Sequence, residues 1–121
     1  MNEIIRMLDE INDMFYEKEK KGTFPIDIIE IENGYRVDAE LPGVDKDSID
    51  VSFEDGYLTI NAVRKEKEMK YLIRERKDVK YNRVIYFGDI KEDSISAKLE
   101  CGVLSIHLKK EEKLRKNIVI E

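Results

Sequence analysis

Cys101 and His107 are the residue types of a nucleophile and its base. They lie six positions apart across the start of the alternating segment VLSIHL (103–108), so about 20 Å would separate them along extended backbone. No third polar group stands ready to orient the histidine, and a cysteine beside Gly102 reads more simply as a turn residue. Four aspartates, Asp45, Asp47, Asp50 and Asp55, offer carboxylate oxygens. Their spacing departs from the calcium-loop pattern, so they read as solvated loop charge, with Asp47 placed to cap a short helical turn. There is no phosphate loop and no glycine-rich cradle. The residue types that can do chemistry therefore define no catalytic, metal or cofactor site, and an enzyme is not expected.

The elements around these residues carry more information. A chain of 121 residues is one domain's worth, long enough to bury a core without a staple. Hydrophobic residues make up 41% and charged residues 40%, which is a globular composition with a heavily charged surface. The net charge of −5 argues against a nucleic-acid partner. No apolar run approaches the ~20 residues of a membrane span. The start, MNEIIRMLDE, is acidic and mixed, unlike a secretory signal. A single cysteine cannot form an internal disulfide, so a cytoplasmic setting is expected.

Residues 2–20 have helical periodicity, with Ile4, Leu8, Ile11 and Phe15 on one stripe and charged residues between. EKEKKG (17–22) ends that pattern at Gly22. The stripe could lie on a membrane surface, but its polar face is not strongly basic, and assembly or binding of another protein fits better. From Phe24 the period becomes two. The predicted strands are FPIDIIEI (24–31), YRVDAEL (35–41), IDVSF (49–53), YLTINAV (57–63), YNRVIYF (81–87), ISAKL (95–99) and VLSIHL (103–108). Asn33-Gly34, Pro42-Gly43, Glu54–Gly56 and Gly102 mark turns. Seven or eight short strands at 8–12-residue spacing predict an antiparallel, immunoglobulin-like β-sandwich. Between two of them lies the charged segment 64–80, which holds one apolar island, Tyr71-Leu72-Ile73. At the far end, KKEEKLRKN (109–117) leads to Ile118 and Ile120.

Several of these segments resemble the small heat-shock proteins and their α-crystallin domain. ELPGVDKDSIDVSFEDGYLTI (40–60) is similar to a family pattern, and AKLECGVLSIHL (97–108) carries the family's Ala, then Gly five positions on, then Val-Leu. PIDIIE (25–30) resembles the opening strand, YNR (81–83) the aromatic-x-Arg, and 118–120 the terminal Ile-x-Ile anchor. The matches run in the family's order from 24 to 121. Departures are Cys101 where Asn is common, Gly88-Asp89 for Leu-Pro, a short arm and a tail with one residue after the anchor.

The resemblance implies an N-terminal amphipathic arm (1–22), an α-crystallin domain (23–109) and a C-terminal tail (110–121). It implies an ATP-independent holdase chaperone working as a dimer-based homo-oligomer on unfolded client proteins. Ile118 and Ile120 would seat in a neighbour's groove lined by Ile49, Val51, Phe53, Ile95, Ala97 and Leu99. The other reading of the pair is an ordinary last strand in its own sheet. Tyr71, Leu72 and Ile73 would add as a strand to a partner's opening strand around Ile26 and Ile28, or 64–80 would be a long solvated hairpin. Arg83 would pair with a carboxylate across that interface or make a surface ion pair. Ile4, Leu8, Ile11 and Phe15 would contact clients or other subunits. A monomeric co-chaperone adaptor on the same sandwich is the alternative.

Overall fold

The structure, a computed structural model, describes residues 19–112 and 117–121. Eight strands follow one another: β1 (Glu19–Gly22), β2 (Ile26–Ile31), β3 (Gly34–Glu40), β4 (Ile49–Glu54), β5 (Tyr57–Arg64), β6 (Asp78–Tyr86), β7 (Ser96–Glu100) and β8 (Val103–Lys109). Single 3-10 turns at Lys46–Ser48 and Glu92–Ser94 precede β4 and β7. The strands form two four-stranded sheets, ordered β1-β6-β5-β4 and β2-β3-β8-β7.

Alternation in sequence becomes a sandwich core. Val37, Ala39 and Leu41 come from the β3 segment, Leu58, Ile60 and Ala62 from β5, and Leu104, Ile106 and Leu108 from β8. All are buried, while their neighbours in sequence reach outward. Each such Leu or Ile contributes about 1.5–3 kcal/mol by leaving water. The hairpins Asp55-Gly56 and Cys101-Gly102 have positive φ at both central residues (52° and 86°, 51° and 75°), the type I′ form whose twist matches the strands it joins. Asn33-Gly34 behaves differently. Asn33 takes the left-handed turn position (φ 59°), whereas Gly34 opens β3, where a Cβ would lie 2.0 Å from the Leu108 carbonyl oxygen.

Three expectations are revised. The expectation of helix over 2–20 does not hold at Glu19 and Lys20, which belong to β1, paired parallel with β6 from Glu19↔Asp78 to Gly22↔Tyr81. Glu19–Gly22 has no apolar side chain to hold it as helix, and the free edge of β6 offers it backbone hydrogen bonds. Positions 2–18, with Ile4, Leu8, Ile11 and Phe15, lie outside the described residues. Next, β6 starts at Asp78 rather than Tyr81, because Val79 is a buried inward residue hidden in sequence between Asp78 and Lys80. Finally, Asp45, not Asp47, occupies the cap position of the Lys46–Ser48 turn, and its side chain makes no capping bond.

Candidate assembly surfaces

Edge strands are where a sandwich can accept another chain, and this fold leaves β4 and β7 as the outer strands of opposite sheets. They lie on the same side of the sandwich. On the other side, Phe24, just before β2, packs edge-on against Tyr81 of β6 (centroids 5.7 Å), and Arg83 Nη1 donates to the Phe24 carbonyl at 2.9 Å. That joins β2 to β6 and leaves β4 facing β7.

The registers settle where the groove residues point. Ile49, Val51 and Phe53 pair with Ala62, Ile60 and Leu58, all core residues, so they too face between the sheets. Ala97 and Leu99 pair with Ile106 and Leu104 and face inward as well, and Ile95 packs on the core just ahead of β7. Yet none of the six is fully buried: five are half-buried and Ala97 is exposed. The side chains point inward but solvent reaches them, so the two sheets are not closed along this side. The result is an apolar groove bordered by the exposed Asp50, Ser52, Glu54, Ser96, Lys98 and Glu100.

The tail leaves the sandwich at the opposite end of β8. Lys110 N–H donates to the Asn33 carbonyl at 2.8 Å, a bridge joins Ile90 to Lys110, and the Lys110 ammonium lies 5.0 Å from the Tyr35 ring centre. Within the single chain Asn117–Glu121 belongs to no strand, and Ile118 and Ile120 are 83% and 92% exposed.

A second surface surrounds β2, whose outer edge pairs with no strand among the described residues. Ile26 and Ile28 pair with Ala39 and Val37, so both face inward. Ile26 packs on the core, whereas Ile28 remains exposed. The loop 65–77 carries Leu72 and Ile73 at 99% and 78% exposure. Within one chain Tyr71–Ile73 is not a strand, and Leu72-Ile73 forms a bend. The Tyr71 hydroxyl donates to the Lys67 carbonyl, and the Arg74 guanidinium lies 5.0 Å from the Tyr71 ring centre. Among the described residues, the partner of Arg83 is the Phe24 carbonyl rather than a carboxylate.

The residue types that opened the sequence reading are kept apart. Cys101 sits exposed in the β7–β8 turn, and His107 lies on the outer face of β8 between Arg36 and Ser96. Among the described residues no group of three His, Cys, Asp or Glu side chains is placed to hold a metal ion. The sequence reading missed an outer-face pair, Tyr57 and Tyr86, with ring centres 4.9 Å apart. The out-facing parity of both positions is the signal that could have found it. It also missed Asp38, which accepts from Ser105 Oγ at 3.0 Å and from Arg36 Nη2 at 3.2 Å.

Two sheets in these orders, with an open groove between β4 and β7 and a projecting β5–β6 loop, define a sandwich of the α-crystallin class. The Hsp20/alpha crystallin family model matches residues 27–121, and the chain belongs to that family. Members are small heat-shock proteins, which are chaperones and not enzymes. The chain is 39% identical over 100 residues to the 18 kDa heat shock protein of Clostridium acetobutylicum, covering 78% of this chain and 66% of that protein's length. It is 34% identical over 110 residues to heat shock protein HSP.16.4 of Streptococcus thermophilus, covering 84% and 78%. Heat shock protein 16.0 of Schizosaccharomyces pombe superposes with a TM-score of 0.65 at 27% identity, covering 93% of each chain. Among the described residues no helix is long and apolar enough to cross a membrane.

Proposed function

We propose that this chain is an ATP-independent holdase that binds non-native proteins and suppresses their aggregation as a dimer-based homo-oligomer. The observation that carries the reading is an unmatched pair of surfaces on one chain: Ile118 and Ile120 open to water, and an apolar groove between β4 and β7 open to solvent. In an extended tail the two isoleucines fall on one side, with Val119 on the other. The connecting residues 109–117 reach roughly 30 Å when extended, enough to cross to a neighbouring subunit. Two buried isoleucines contribute about 3–6 kcal/mol. Lost freedom of association offsets much of that, so each latch is weak and reversible and many latches together hold the assembly.

The dimer beneath that assembly forms by strand addition, with Tyr71–Ile73 of one chain pairing along the free edge of the other's β2. Arg83 lies behind that edge. The N-terminal stripe of Ile4, Leu8, Ile11 and Phe15, together with the open grooves, supplies apolar surface for clients. Holding a non-native chain this way needs only exposed apolar surface and no nucleotide. The single cysteine supports a reducing, cytoplasmic setting.

The test is native mass by light scattering, full chain against a chain stopped after Asn117, alongside client aggregation measured without ATP. A large oligomer that falls to dimers on truncation, with aggregation suppressed by the full chain, is expected. Equal masses would mean that the tail is not the latch, and a monomer in both would favour the adaptor.

A further inference from the structure

The 65–77 loop is closed at its neck by charge. Glu66 N–H donates to Asp78 Oδ1 at 2.8 Å, joining the start of the loop to the first residue of β6. Glu66 Oε1 lies 3.7 Å from Arg64 Nε and 3.3 Å from Arg76 Nη2, and Asp78 Oδ1 lies 3.9 Å from Arg74 Nη2. Three arginines, one before the loop and two near its end, thus converge on two carboxylates. The Glu66 side chain is only 13% exposed, although this segment is otherwise open to water. A carboxylate that shielded is stable only beside cations, so the arginines and Glu66 hold one another in place. Beyond the neck, Met69, Tyr71 and Ile73 line one hollow with Gly43 and Arg64, while Leu72 projects fully.

We propose that Glu66 and Asp78 are positioning residues for dimer formation: their pairing with Arg64, Arg74 and Arg76 closes the loop neck and presents Tyr71–Ile73 to the partner's β2. The inference rests on the strand-addition dimer proposed above. A 13-residue loop that is loose at its neck must be ordered on binding, and that ordering weakens association. A neck closed beforehand removes part of the penalty. Arg74 and Arg76 are themselves 43% and 74% exposed, so their side of the closure weakens as added salt shortens the screening length from about 10 Å at 0.1 M to about 3 Å at 1 M. The apolar tip contacts have no such dependence.

The experiment follows monomer release from the full-length protein on dilution at 0.1 M and 1 M NaCl, by sedimentation and native mass spectrometry. It compares the unchanged chain with Glu66→Gln, Asp78→Asn and the tip double variant Leu72→Ser/Ile73→Ser. Glu66→Gln is expected to raise the dimer dissociation constant about tenfold at low salt, as loss of one member of a shielded ionic cluster should. It should also flatten the salt dependence that the unchanged chain shows. Asp78→Asn keeps an acceptor for the Glu66 N–H and should shift less, in the same direction. Thermal melts that match the unchanged chain show that the sandwich is intact. If the tip variant releases monomers and both charge variants behave like the unchanged protein, the neck does not position the loop, although the dimer reading stands. If even the tip variant leaves the dimer untouched, the loop is not the dimer contact and both ideas fail.

Discussion

Ala97 of β7 stands opposite Ile106 of β8 in the sheet register, and the two have opposite fates. Ile106 is fully buried, whereas Ala97, pointing the same way, is exposed. A methyl group at the sandwich edge is too short to close the space between the sheets, so this position is a notch in the groove floor.

Filling the notch should block the latch without harming the fold. Ala97→Leu adds side-chain volume where solvent now stands, so the melting temperature is expected to stay the same or rise slightly. Native mass should drop from the large oligomer to dimers. A large oligomer retained in a well-folded Ala97→Leu protein would place the tail contact elsewhere.

Replacing the knobs should have the matching effect from the other side. Ile118→Ser with Ile120→Ser removes about 3–6 kcal/mol of apolar burial per latch and leaves the sandwich core untouched, since both residues are exposed. Unfolding of the domain in urea should be unchanged while light scattering reports dimers. A lowered unfolding midpoint in the dimeric species would reveal packing of the pair on its own sandwich.

Ile106→Ala tests the core. The residue is fully buried among Val37, Leu58 and Leu108 in one cluster, and truncation there should cost about 2–5 kcal/mol through lost burial and the cavity left behind. Urea unfolding of the latch-free double variant gives the cleanest reading, because assembly no longer adds to apparent stability.

Cys101→Asn tests whether the thiol has any role beyond its turn. Cys101 holds φ 51° in a type I′ turn, a position that Asn occupies at lower cost. Stability should rise by up to about 1 kcal/mol, with mass and suppression of client aggregation unchanged. Loss of chaperone activity in a correctly assembled Cys101→Asn protein would assign the thiol a function.

Arg83 offers a contrast between roles. Its guanidinium donates to the Phe24 carbonyl, and a hydrogen bond from a charged donor is worth about 1.5–3 kcal/mol. Arg83→Ala should destabilise the sandwich by that order in urea unfolding, even when the protein is held monomeric by the loop-tip substitutions. Stability unchanged in the monomer, with a weakened dimer, would show that the arginine works across the interface instead.

Much of this was legible in the sequence because period-two alternation is a local property. Leu58, Ile60 and Ala62, or Leu104, Ile106 and Leu108, declare their inward face from spacing alone, and Asp55-Gly56 declares its turn from the backbone angles such residues tolerate. The Ile118–Ile120 pair stands out because two apolar residues beyond a charged run belong to none of the alternating strand segments. Other features depend on residues far apart in the chain. Whether Ala97 is core or groove rests on how far the β4 edge stands from the β7 edge, a distance set by the packing of two sheets. The conversion of Glu19–Gly22 from the end of an apparent helix into a parallel edge strand required the vacant backbone of β6, more than fifty residues away. The loop neck joins Arg64 and Glu66 to Arg74, Arg76 and Asp78, which sequence shows only as a run of alternating charge. Side-chain alternation and turn chemistry follow from neighbouring residues; the open groove, the added strand and the charged neck follow from which edges the tertiary fold leaves uncovered.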